Sequence, residues 1–190
     1  MNRLACFATI ALLACTGTAA ADSPVDPVEA RIAAHVRGDH GRAVALLQET
    51  VDINSGTMNL AGVRKVGSVF EREFKQLGFK TQWIDGAPFD RAGHLLASHG
   101  TRGPRLLLIG HLDTVFAEDS PFQKLQVTGP KAGSGPGSTD MKGGDVIIVD
   151  ALRALNSAGA LKDRQVIVVF TGDEEDPGQP TSISRQALVD

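Results

Sequence analysis

The sequence predicts an α/β protein. Three observations carry that reading: an amphipathic helical stretch over residues 60–77, two short apolar runs bounded by glycine at 105–109 and 165–170, and a further helical stretch at 144–156 lying between those runs. The composition agrees, since 42% hydrophobic and 22% charged residues is a globular balance. At 190 residues the chain is one ordinary domain or a piece of something larger. A net charge of −3 excludes a broadly basic nucleic-acid binder, whose phosphate contacts need clustered Lys and Arg. With 5% aromatic residues and no Tyr, a base-stacking platform is excluded as well.

The elements follow in chain order. Residues 1–21 read as a secretory signal peptide: Asn2-Arg3 opens it, Leu4 to Ala14 is apolar apart from Thr9, and Ala19-Ala20-Ala21 ends it with small residues. That apolar stretch is too short to span a bilayer, so the mature chain, 22–190, is expected to be exported to the periplasm or secreted. Leu12-Leu13-Ala14-Cys15 also resembles a lipobox, which makes a lipid anchor at Cys15 the alternative. Both cysteines, Cys6 and Cys15, fall in the leader, so no disulfide supports the mature chain.

Pro27 suits the first turn of a helix running through Val28 to Ile32, and Arg42 to Asp52 reads as a second helical stretch that stops at the turn cluster Asn54-Ser55-Gly56-Thr57. From Leu60 to Leu77, Val63, Val66, Phe70, Phe74 and Leu77 recur in steps of three and four, and Gly78 closes the helix. Lys80–Ile84 and Leu95–Ser98 read as strands. Arg105–Ile109 and Gln165–Phe170 read as strands buried on both faces, and Gly144–Asn156 as a largely buried helix.

Three segments carry the chemistry. Gly110-His111-Leu112-Asp113-Thr114-Val115 follows the first apolar run, Gly135 to Gly144 (GPGSTDMKGG) precedes the buried helix, and Thr171-Gly172-Asp173-Glu174-Glu175-Asp176 follows the second run. If the two runs are parallel strands, the first and third segments emerge at neighbouring carboxyl ends, where open α/β sheets bind ligands. One imidazole among several carboxylates is a donor set for a divalent ion such as Zn²⁺. His111 and Asp113 lie two apart on a strand end and share a face, so Asp113 suits an orienter of His111 better than a ligand. Glu174 and Glu175 are adjacent and point in different directions if extended, so one can hold a metal while the other faces a water whose pKa the metal lowers to about 7. The blander readings are a polar strand end, a flexible glycine loop and a solvated acidic turn. The glycine stretch fits neither nucleotide-binding pattern, GxGxxG or GxxxxGK[ST], so a nucleotide-binding α/β domain using that loop is only a third and weaker alternative. His35, His40, His94 and His99 read as surface or packing residues.

The trio GHLDTV, GPGSTDMKGG and TGDEED resembles the M20 metallopeptidases, and within them the glutamate carboxypeptidase-like branch, over roughly Val44 to Ser184. The resemblance implies a three-layer α/β/α sandwich around a mostly parallel sheet. It implies two metal ions, usually Zn²⁺ with Co²⁺ or Mn²⁺ as substitutes, that share Asp140. His111 is then a ligand of one ion and Glu175 of the other, with Asp113 and Glu174 catalytic: Asp113 orienting His111, and Glu174 the general base toward a bridging metal-bound water. It further implies a cis peptide between Asp140 and Met141, and peptide or N-acyl amino acid substrates. The family's further acidic ligand, its distant His, and the lid domain with its homodimer contacts do not appear before Asp190. The chain therefore reads as the N-terminal part of a catalytic domain. An exposed apolar edge is expected where the rest would pack, and an inactive exported fragment that binds metal weakly or not at all is the alternative function.

Overall fold

The structure is a computed structural model that describes residues 25–189, so the leader at 1–21 lies outside the described residues. The elements run α1 (Pro27–Val51), α2 (Leu60–Gln76), β1 (Lys80–Asp85), a 3-10 turn (Ala87–Phe89), β2 (Gly93–His99), β3 (Arg105–His111), β4 (Gln126–Gly129), β5 (Ala132–Ser134), α3 (Lys142–Ser157), β6 (Gln165–Thr171) and α4 (Thr181–Gln186). Among these helices none is long and apolar enough to cross a membrane.

Where the sequence suggested two helical stretches, α1 is one helix. Asp26 caps it by accepting the Val28 N–H at 2.6 Å, and Pro27 occupies its first turn. Gly38 and Gly41 cost about 1 kcal/mol each in a helix interior, and packing of α1 along α3 offsets that. In α2 the step pattern is realised as read: Val63, Val66, Phe70 and Phe74 are fully buried, and Gly78 leaves the helix at φ 80°.

β1, β2, β6 and β3 form one sheet in that order. The sheet is mixed, a correction to the mostly parallel sheet expected: β1–β2 and β2–β6 are antiparallel, and only β3–β6 is parallel. One face, carrying Leu95, Ala97, Val166, Val168 and Phe170, packs against α1, α2 and α3. Phe170 sits at the centre, its ring 5.1 Å from Phe70 and 5.5 Å from Phe74. The described residues thus build two of the three expected layers, and the six-residue α4 covers only the carboxyl end of the second face.

That asymmetry corrects a second expectation. β6 is buried, as its apolar run suggested, but β3 is an edge strand with Leu106, Leu107 and Ile109 49%, 53% and 62% exposed. An apolar run reports that a strand is meant to be covered, not which side is covered in a given chain. Likewise α3 buries one face, through Val146, Val149 and Leu152, while Ile147 is exposed. An open edge with an apolar face favours pairing between copies. Leu107→Lys is therefore expected to lower self-association in sedimentation at unchanged stability, within about 0.5 kcal/mol for an exposed site.

Between the helices lies a buried ion pair. Arg153 on α3 donates to Glu73 on α2 at 2.5 Å, and Arg72 donates to the other Glu73 oxygen at 2.9 Å. Both Glu73 and Arg153 are buried.

Candidate metal centre

The parallel pairing of β3 with β6 places the site. His111 is the last residue of β3 and lies opposite Thr171, the last of β6, so the segments that follow leave from one rim of the sheet. α3 reaches the same rim with its first turn, which Asp140 and Met141 precede; the peptide bond between them is cis. Gly110 allows this approach, because a Cβ there would collide with Oδ1 of Asp145 in that turn.

The geometry gathers all five residues expected from the sequence. His111 Nε2 lies 2.9 Å from Asp140 Oδ1 and 3.9 Å from Glu174 Oε2. Ligand atoms of His111, Glu174 and Glu175 all fall within 4.8 Å of one another. The two adjacent glutamates both approach the imidazole. On the other side of the ring, Nδ1 is 3.1 Å from the Asp113 carbonyl oxygen and 3.5 Å from its carboxylate Oδ1. Asp113 thus faces Nδ1 with both backbone and side chain, which leaves Nε2 directed at the carboxylates.

Asp113 is fully buried. Burial alone would raise its pKa. The interaction with His111, the Thr57 hydroxyl at 2.8 Å and the backbone N–H groups of Glu175 and Glu174 at 3.0 and 3.1 Å outweigh it and hold the carboxyl below its ordinary value. These two N–H bonds tie the acidic segment after β6 to the histidine segment after β3. Burial opposes protonation of His111, yet Asp113 and Asp140 together raise it to about 9. Glu175 is raised, first by burial and then by the neighbouring Asp140, Asp113 and Glu174 carboxylates, against the lowering effect of His111. Carboxylates crowded on one imidazole until they repel one another are a donor set that a divalent cation relieves, and the side chains of Asp140 and Glu174 are exposed enough to receive one.

Several supporting residues were not singled out for these contacts in the sequence. Thr57 comes from the turn after α1, which Ser55 and Thr57 lace to the histidine segment: Thr114 N–H donates to Ser55 O at 2.9 Å, Thr57 N–H to Thr114 O at 3.2 Å, and Ser55 Oγ to Leu112 O at 2.8 Å. Replacing Thr57 by Val removes one donor from a buried carboxylate, and a loss of about 1–3 kcal/mol is expected in denaturant unfolding. Lys142 is fully buried and caps the carboxyl end of α1 through Thr50 O at 3.0 Å and Ile53 O at 2.9 Å; burial lowers its pKa to about 8. Asp145 is buried with no hydrogen-bond partner for either carboxyl oxygen among the described residues, and burial raises its pKa well above the ordinary value. Lys142 reads as loop polarity beside its glycines, and Asp145 as a polar residue of the helix's first turn, until tertiary packing is known.

Two clefts flanking the centre share Val115 and Glu175. One, of about 450 Å³, runs past Thr57, Met58 and Asn59. The other, of about 360 Å³, runs past Phe116, Phe122, Ser138 and Asp140. A third cleft, of about 400 Å³, is lined by His111, Met141 and Glu174.

Residues 107–190 match the profile of Peptidase family M20/M25/M40. These residues belong to the M20 peptidases. Over 137 residues the chain is 33% identical to carboxypeptidase G2 from Pseudomonas sp. (strain RS-16), a match covering 70% of this chain and 32% of that protein. Among solved structures, human carnosine dipeptidase 1 superimposes with a TM-score of 0.70 at 19% identity, over 84% of this chain and 37% of the other. The M20 family metallo-carboxypeptidase Sso-CP2 from Sulfolobus solfataricus gives 0.57 at 16% identity, over 70% and 31%. At those identities the structures establish a shared fold. The chain spans about a third of the length of these M20 relatives.

Proposed function

We propose that this chain supplies the amino-terminal half of a zinc-dependent exopeptidase site, acting on peptides or N-acyl amino acids with a free C-terminal carboxylate. The observation that carries the reading is the convergence of His111, Asp140, Glu174 and Glu175 at one rim, with Asp113 behind the imidazole. His111, Asp140 and Glu175 would hold the metal. A zinc ion held by them would polarise the amide carbonyl and acidify water. Asp113 keeps the Nδ1 proton in place, which presents the Nε2 lone pair outward and makes it more basic. Glu174, exposed beside the His111 imidazole, accepts the proton of the attacking water and returns it to the departing nitrogen. The flanking clefts offer room on either side of the bond to be cut, the Phe116–Phe122 pair forming an apolar wall on one side.

Hydrolysis of an N-acyl glutamate by the zinc-loaded protein, in the chain itself and in a version extended to the length of its relatives, tests this. Zinc-dependent release of glutamate from the extended protein is the expected result, and its absence there would overturn the reading. We also propose export, supported by the leader composition. Mass spectrometry of the secreted protein should then find Asp22 at the amino terminus.

A further inference from the structure

We propose that the buried Asp173 is a positioning residue for Glu174 and Glu175, and that α4 sets their placement through Ser184 and Arg185. The proposal rests on the metal-centre reading above. Asp173 immediately precedes the acidic pair and has no solvent exposure. Its carboxylate accepts the Ser184 hydroxyl at 2.6 Å, the Arg185 Nη1 at 2.7 Å and the Gly178 N–H at 3.0 Å. The last of these closes residues 174–177 into a ring pinned at its base. Beside it, His94 is fully buried, stacks on Phe89 with 13° between the rings, and accepts the Gly172 N–H on Nδ1 at 3.3 Å. Burial lowers the His94 pKa, in keeping with a neutral ring that accepts there. Arg91 restrains the far side of the loop, donating to Asp176 O at 2.8 Å.

Serine, histidine and aspartate in one cluster suggest a nucleophile, but the bonding does not. Ser184 donates to Asp173 and not to His94, and all three residues are shut from solvent. A role confined to anchoring α4 accounts for the ion pair but not for its target. The helix bonds end on the residue next to the candidate ligands, while Asp113 holds the N–H groups of those same ligands from the opposite side. With one of the two anchors gone, the loop can turn the carboxylates away from His111. Groups that orient ligands in this way change metal affinity by about 10- to 100-fold when removed.

Zinc titration calorimetry of the unsubstituted chain, Ser184→Ala, Arg185→Met and Val149→Ala tests the proposal, the last being a core truncation in α3 away from the loop. The zinc Kd is expected to rise about 10- to 100-fold in Ser184→Ala and Arg185→Met, to stay at the unsubstituted value in Val149→Ala, and to be largely restored in Arg185→Lys and Ser184→Thr, which keep the donors. A Kd within about twofold of the unsubstituted value in both latch variants, or an equal loss in Val149→Ala, would overturn it. Should Arg185→Met not fold, Ser184→Ala decides alone. If the unsubstituted chain binds no zinc, the metal-centre reading falls and this proposal with it.

Discussion

Glu174→Gln is expected to lower the rate of amide hydrolysis by about 10²- to 10⁴-fold while zinc remains bound, because the substitution removes a proton acceptor and keeps the side-chain shape. Glu175→Gln should instead weaken zinc binding first and activity as a consequence. The geometry makes the comparison informative. Both glutamates reach within 4.8 Å of His111 donor atoms, so distance alone does not divide their roles. Their environments do. Glu175 lines both flanking clefts and its pKa is raised, first by burial and then by its carboxylate neighbours, whereas the Glu174 side chain is 58% exposed and 3.9 Å from Nε2. Steady-state kinetics alongside zinc titration separates the two, and equal loss of zinc in both variants would reverse or merge the assignment.

The second large effect is on stability. Glu73→Gln should destabilise the fold by about 3–5 kcal/mol, because it leaves the buried Arg153 with only the more distant Asp39 carboxylate, 3.8 Å away, as a counter-charge. Burial would raise the Glu73 carboxyl, but hydrogen bonds from Arg153 and Arg72 outweigh it and hold the pKa below its ordinary value. A carboxylate depressed in the folded state contributes stability above its unfolded pKa near 4.5, and that contribution is lost as pH falls through the lower folded value. Acid denaturation should therefore steepen below pH 4.5 in the unsubstituted chain and lose this component in Glu73→Gln. Urea unfolding at neutral and acidic pH measures both, and a cost under about 1 kcal/mol at neutral pH would contradict a buried, paired charge.

Much of the centre was legible in the sequence because the residues read as its ligands sit at fixed offsets from strong local signals. His111 and Glu175 follow apolar runs that could only be strands, and Asp140 precedes a helix, so strand direction alone brings them to one rim. The strength of the α2 pattern likewise fixed its ends to within a residue. What local pattern could not supply was decided at long range. Whether β3 is central or at an edge depends on which other strands are present to pair with it, and the apolar run is the same in either case. The β4–β5 hairpin was missed because its strands are short, exposed and interrupted at Val127 and Gly129. Asp173 and His94, read as part of an acidic turn and as a packing histidine, meet only when β2, β6 and α4 assemble. Lys142 gained its role from carbonyls about ninety residues away at the end of α1.

Anomalous diffraction at the zinc absorption edge, from crystals of the chain grown with the ion, tests the central claim most directly. The account predicts a peak about 2.0–2.2 Å from His111 Nε2 and from carboxylate oxygens of Asp140 and Glu175. Zinc held elsewhere on the molecule, with His111 Nε2 still on Asp140 and no peak between them, would contradict it.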